Sequence, residues 1–151
     1  MFFLMRHGEA SWQAATDFDR VLTEVGHEQL VTMAMRQHLQ LKGITKIVCS
    51  PFVRTRQSAA IIAHSLGDIP IVYDNQLTPA NTVQEAIAAL EMHWCEQLLV
   101  VTHQPLIGNL ISYFEQGDQA YPESVSPGSI YSYSMAWPGP GCGLRESVFS
   151  V

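Results

Sequence analysis

Leu98-Leu99-Val100-Val101-Thr102-His103-Gln104-Pro105-Leu106-Ile107-Gly108 turns polar only at the last residue of its strand-like run and then presents a histidine. The run does not alternate between apolar and polar residues. It therefore reads as a strand buried on both faces, as in a parallel sheet lying under helices. After it, Ile107, Leu110, Ile111 and Phe114 recur at helical spacing. Strand, polar residue, helix is the unit of an α/β fold, and the rest of the chain repeats it.

At the start, Phe2-Phe3-Leu4-Met5 is followed by Arg6-His7-Gly8, and the candidate strand runs from Phe2 to Arg6. Thr23 can cap a helix from about Glu24 to Leu41, with Leu30, Met33, Ala34 and Leu41 turned inward. Ile44 to Cys49 reads as a second strand. Ala59, Ile62, Ala63 and Leu66 give a helix that Gly67 ends, and Ile69 to Tyr73 a third strand. Thr82 and Glu85 form a capping box before Val83, Ala86, Ile87 and Leu90. Ser129 to Ala136 and Leu144 to Val151 flank a Pro-Gly-Pro-Gly-Cys-Gly turn, which predicts a closing hairpin. The expected architecture is α/β, three layers (α/β/α) around a mostly parallel central sheet with a C-terminal β-hairpin.

The totals narrow the function. A chain of 151 residues is one domain's worth, so residues 1–151 are expected to form a single domain. Net charge is −6, which makes nucleic acid and anionic membrane surfaces poor partners. Any anion must be met by a local cluster drawn from only eight Lys and Arg. Cys49, Cys95 and Cys142 are odd in number and lack metal-ligand spacing, so reduced thiols in a cytoplasmic enzyme are expected. The first apolar run is too short for a signal peptide or a membrane span. Nothing demands a dimer, and a monomer is expected.

The chemistry-bearing residues fall where the fold would collect them. His7 follows the first strand, Arg54 the second, and His103 the fourth. In a parallel sheet with right-handed crossovers these carboxyl ends share one edge, where α/β folds bind ligands. A histidine beside Arg6, a second arginine and a second histidine describe a phosphate site with a candidate nucleophile. His27, His38, His64 and His93 lie within helical patterns and read as ordinary helix residues, and Arg56 as a solvated helix charge.

Four segments resemble the histidine phosphatase superfamily, which includes the cofactor-dependent phosphoglycerate mutases. They are Arg6-His7-Gly8-Glu9, Arg20-Val21-Leu22-Thr23-Glu24-Val25-Gly26, Ser50-Pro51-Phe52-Val53-Arg54-Thr55-Arg56-Gln57 and Val101-Thr102-His103-Gln104-Pro105-Leu106-Ile107-Gly108. Within that superfamily the chain looks like the SixA-type phosphohistidine phosphatases, on Ser50-Pro51-Phe52, Leu77-Thr78-Pro79, His103-x-Pro105-Leu106 and small size. The resemblance implies a nucleophilic His7 that forms a transient phosphohistidine, with Arg6, Arg54 and His103 around the phosphoryl oxygens. Gly8, Arg20 and Gln104 are expected to help bind phosphate or substrate. Glu9 is expected in a supporting role or as proton donor. No metal and no cofactor are expected. The implied partner is a phosphorylated histidine-phosphotransfer protein of a phosphorelay, with inorganic phosphate as product.

One departure carries chemical content. Mutase-like members place a catalytic glutamate soon after the third strand, where this chain reads Leu77-Thr78-Pro79-Ala80-Asn81. An alkoxide leaving group needs an acid, whereas a phosphorylated imidazole departs as a neutral ring. Phosphoramidate bonds are therefore expected to be preferred over alkyl esters. The competing readings are a small-molecule phosphatase or mutase of the same superfamily, and a phosphoprotein-binding module without catalysis. A cysteine phosphatase misses its loop spacing, since Arg54 is one residue too near Cys49 and Arg56 one too far. The Glu115 to Pro127 segment has no role assigned by sequence.

Overall fold

The computed structural model describes residues 1–151. Alternate residues of β1 (Phe2–Arg6) feed two different cores. Phe2 and Leu4 join a cluster with Val83, Ala86, Leu90, Leu110 and Phe114. Phe3 and Met5 join another with Leu30, Met33, Ala59 and Ile62. This is why the strand shows no polar alternation: both of its faces are covered by helices. β2 (Lys46–Cys49) and β4 (Leu98–Thr102) divide in the same way, with Val48, Leu98 and Val100 on one side and Ile47, Cys49, Leu99 and Val101 on the other.

The sheet has six strands in the order β3-β2-β4-β1-β5-β6, where β3 is Ile71–Tyr73, β5 is Ile130–Ser134 and β6 is Leu144–Phe149. The β1–β4, β2–β4 and β2–β3 pairs are parallel, and the β1–β5 and β5–β6 pairs antiparallel. α1 (Glu24–Arg36) and α3 (Val53–Ser65) pack on one face. α4 (Val83–His93) and α5 (Leu106–Gln116) pack on the other. The three-layer α/β expectation holds, with the hairpin forming the antiparallel edge.

The first long helix is shorter than its sequence suggests. α1 ends at Arg36, and α2 (His38–Leu41) follows as a separate short turn. The inward set Leu30, Met33, Ala34 and Leu41 is nevertheless buried. The third strand begins at Ile71 rather than Ile69, because Pro70 has no N–H for the ladder and only its carbonyl pairs, with Ile47. Thr23 caps α1 through Gly26 N–H, and the Thr82–Glu85 capping box is complete. No helix is long and apolar enough to cross a membrane.

Parallel pairing decides the site. Register matches Arg6 with Thr102, so His7 and His103 leave adjacent strands side by side. The Ser50 N–H donates to Val101 O, bringing the turn before α3 against the same edge.

Candidate active site

His7 is 6% exposed, and Nδ1 of its ring sits 2.7 Å from Gly8 O. A carbonyl can only accept, so Nδ1 carries the proton and Nε2 keeps its lone pair. Arg54 Nε donates to that Nε2 at 3.2 Å, an arrangement that also requires the unprotonated nitrogen. Burial first, then the charges of Arg54 and Arg6, pushes His7 down to about 3, against an opposing pull from the Gly8 contact. The ring is neutral at physiological pH, with a lone pair directed toward a guanidinium.

Arg54 is 3% exposed and held on several sides. Nη1 donates to Asp17 O at 2.6 Å and Nη2 to Asp17 Oδ2 at 3.2 Å. Arg6 donates from Nη1 to Val125 O, while its Nε is buried with no partner. Burial lowers both arginines, and Arg54's charge adds to the shift of Arg6, yet a guanidinium stays protonated at any ordinary pH. An unpartnered buried cationic donor is costly unless something anionic completes it.

His103 is 1% exposed and packs edge-on against His7, ring centroids 5.1 Å apart. Its Nε2 lies 2.7 Å from Ser50 Oγ, and its Nδ1 is buried without a partner. Phe52 N–H donates to Ser50 Oγ at 3.4 Å, and the Ser50 hydroxyl hydrogen has only His103 Nε2 to bond. The satisfied assignment has Ser50 donating, so the proton of His103 sits on Nδ1 as a free donor. Burial, then the neighbouring His7 and Arg54, keeps His103 neutral. Phe52 packs against the His103 ring at 5.0 Å, and Phe18 against Phe52 at 5.1 Å.

The structure thus brings Arg6, His7, Arg54 and His103 together. The other expected residues sit differently. The Gly8 N–H donates to Ser58 Oγ at 3.0 Å. A Cβ there would meet Leu30 Cδ1 at 2.7 Å, so close helix packing is what demands glycine. Arg20 spends Nε on Ser11 O, Nη2 on Ala10 O and Nη1 on Asp17 Oδ1, and lies 3.6 Å from the Trp12 ring centroid. It contributes charge from behind the first row. Gln104 Nε2 donates to Glu123 O at 2.9 Å, and its Oε1 is buried without a partner. Glu9 is exposed and accepts from Thr23 Oγ1 at 2.8 Å, a tether to the start of α1. Burial pushes the Cys49 thiol up to about 12, where it is inert.

Sequence reasoning missed Asp17, whose carboxylate bridges Arg54 and Arg20, and Ser50, which sets the His103 tautomer. Asp17 lies in an irregular loop without periodicity, so no local signal marks it. Ser50 sits inside a quoted motif, but its partner is 53 residues away.

Comparison with known proteins bears on this geometry. The family model described as "Histidine phosphatase superfamily (branch 1)" matches residues 2–82. The chain is 30% identical over 144 residues to phosphohistidine phosphatase SixA of Escherichia coli (strain K12), covering 92% of this chain and 88% of that protein. It is 28% identical over 149 residues to a phosphohistidine phosphatase SixA homolog of Haemophilus influenzae, covering 91% and 88%. The solved protein histidine phosphatase SixA complexed with tungstate superimposes with a TM-score of 0.85 at 29% identity, over 99% of this chain and 96% of that one. A phosphoserine phosphatase from Entamoeba histolytica, solved with 3-phosphoglyceric acid, shares the fold with a TM-score of 0.70 at 17% identity, covering 99% and 96%.

Proposed function

We propose that this chain, which belongs to the histidine phosphatase superfamily (branch 1), hydrolyses phosphohistidine on a phosphorylated histidine-phosphotransfer domain through a covalent intermediate on His7. The observation that carries the reading is the lone pair of His7 Nε2, oriented by Gly8 O and set among unpartnered donors of Arg6 and His103. A binding module without catalysis would need the donors but not the oriented nucleophile.

His7 Nε2 attacks phosphorus in line, forming one N–P bond as the substrate's N–P bond breaks. The departing imidazole takes that electron pair and, protonated on its other nitrogen, leaves neutral. Arg6, Arg54 and the His103 Nδ1–H receive the equatorial oxygens, where fixed charge does most of the work of phosphoryl transfer. Water then attacks phosphorus, and His7 leaves with its pair on Nε2 and its proton still on Nδ1. The water's proton passes to product phosphate or solvent.

The carboxylates near the cage support the choice of substrate. Asp17 is paired with Arg54 and Arg20 and lies below the usual carboxylate range, with burial opposing that shift and the arginines driving it. Glu9 is tethered to Thr23, and Glu85 is committed to the α4 cap. None is poised to protonate an alkoxide, and an imidazole leaving group needs no such acid. A monomer acting as one domain over residues 1–151 belongs to the same proposal. The unpaired Cys49, Cys95 and Cys142 support a reducing, cytoplasmic setting.

The test is phosphate release from a phosphohistidine-bearing phosphotransfer domain, with an alkyl phosphate alongside and His7→Ala as control. Fast, His7-dependent release from phosphohistidine with little from the alkyl ester is expected. Comparable turnover of both would shift the reading to a general phosphomonoesterase. Binding of the phosphoprotein without release would leave a recognition module.

A further inference from the structure

Glu123 joins three parts of the molecule. Its N–H donates to Gly108 O at 3.2 Å, near the start of α5. Its carbonyl accepts from Gln104 Nε2 at 2.9 Å, beside His103. Its carboxylate accepts from Tyr131 Oη at 2.6 Å on β5, and from both Nη1 and Nη2 of Arg145 on β6. The contact with α5 is so close that a Cβ on Gly108 would fall 2.2 Å from Glu123 O. Two residues further on, Val125 is 1% exposed and its carbonyl holds Nη1 of Arg6. The Gly128 N–H then lies 3.1 Å from Arg6 O and 2.9 Å from His7 O.

The segment between α5 and β5 has no helix or strand of its own. It is held on one side by α5, through Gly108 O and Ser112 Oγ, and on the other by the hairpin that follows it. Arg145 Nε donates to Glu115 Oε1 at 2.7 Å, and Tyr133 Oη donates to the same oxygen at 2.8 Å. Arg145 therefore ties the last turn of α5, through Glu115, and the middle of the segment, through Glu123, to the sheet edge. A solvent-facing ion pair contributes little to stability by itself. This one is made by the residue whose carbonyl accepts from Gln104, two positions before the carbonyl that accepts from Arg6.

Resting on the reading of Arg6 and His103 as the phosphate cage, we propose that Glu115, Glu123 and Arg145 are positioning residues. They clamp residues 117–127 against the hairpin so that Val125 O turns Arg6 with its Nε toward the anion and Glu123 O holds Gln104 beside His103. The unpartnered Arg6 Nε is the group whose direction the clamp sets.

The test uses the full chain, with inorganic phosphate binding by calorimetry and steady-state hydrolysis of an aryl phosphate. Glu123→Gln keeps the shape and removes the charge, and Arg145→Gln opens the clamp. Both are expected to weaken phosphate binding and raise KM by ~10-fold, with Tm lowered by only a few degrees. Arg145→Lys should recover part of the loss. In an Arg6→Lys background Glu123→Gln should change phosphate binding by a smaller factor than it does in the otherwise unaltered chain, because one of the two groups it orients is gone. Wild-type phosphate affinity and KM in both clamp variants, or full additivity with Arg6→Lys, would overturn the proposal. If Arg145→Gln does not fold, Tyr131→Phe removes one partner of Glu123 and gives the same readout. A wild-type protein that binds no phosphate would defeat the functional reading itself, which separates the two failures.

Discussion

Arg54 Nε points its hydrogen at His7 Nε2 across 3.2 Å while the opposite nitrogen of that ring faces Gly8 O at 2.7 Å. The two contacts fix one tautomer from both sides. Burial disfavours protonation there and the guanidinium beside the lone pair adds to it, so the residue set to meet the phosphate helps keep the nucleophile unprotonated.

The fall in kcat/KM that an ordinary imidazole nucleophile shows near its free pKa of ~6.5 should therefore be absent. With His7 pushed down to about 3, by burial first and then by the arginines, its titration lies outside the range of assay. Between pH 8 and pH 5 no His7 limb is expected in the profile for an aryl phosphate. An acid limb centred near 6.5 that moves on Arg54→Gln would contradict this.

Stability should respond to the same pH range. The folded-state values of His7 and His103 lie below their unfolded value of 6.5, so between the two the unfolded chain binds more protons. Stability from these groups is whole above pH 6.5 and is lost as pH falls toward the folded values. The expected loss is ~1 kcal/mol per pH unit for each histidine, read from urea midpoints between pH 7 and pH 5. A His7→Gln, His103→Gln double variant should flatten that slope, and an unchanged slope would refute the assignment.

Asp17 holds Arg54 by its carbonyl and its carboxylate, and Arg20 by the same carboxylate. Asp17→Ala leaves the carbonyl but removes the carboxylate contact from each of the two guanidiniums. The expected result is a KM for aryl phosphate raised ~10-fold with a smaller effect on kcat. A lowered KM would mean that the carboxylate acts as a competitor for the arginines rather than as their support.

Ser50 gives His103 its tautomer. Ser50→Ala removes the donor to Nε2 and lets the proton shift away from Nδ1. A drop in kcat of ~10-fold is expected, with Ser50→Thr restoring most of it. Equal activity in Ser50→Ala would show that either tautomer serves.

Trp12 is 83% exposed, yet its ring is held on Arg20, which three backbone and side-chain oxygens anchor. An aromatic ordered before binding favours contact with a protein partner. Trp12→Ala is expected to reduce kcat/KM for the phosphotransfer domain by ~10-fold and to leave aryl phosphate hydrolysis within twofold. Equal losses on both substrates would assign Trp12 to the cage instead.

The sequence by itself determined the layered α/β fold and the meeting of His7, Arg54 and His103. Unbroken apolar runs require burial on both strand faces, and parallel crossovers put every following residue at one edge. It also carried the caps at Thr23 and Thr82, since a cap is made within three residues. What only the tertiary structure decided is how those side chains are aimed. Gly8 O, Asp17 O, Glu123 O and Val125 O orient His7, Arg54, Gln104 and Arg6. A carbonyl is the same chemical group in every residue, so no letter of the sequence marks the one that will be used. Ser50, Glu123 and Arg145 are polar residues of ordinary appearance until the fold closes distances of 53 and 22 positions between partners. Position along the chain is written in local pattern, whereas orientation within the site is a property of pairs that pattern does not record.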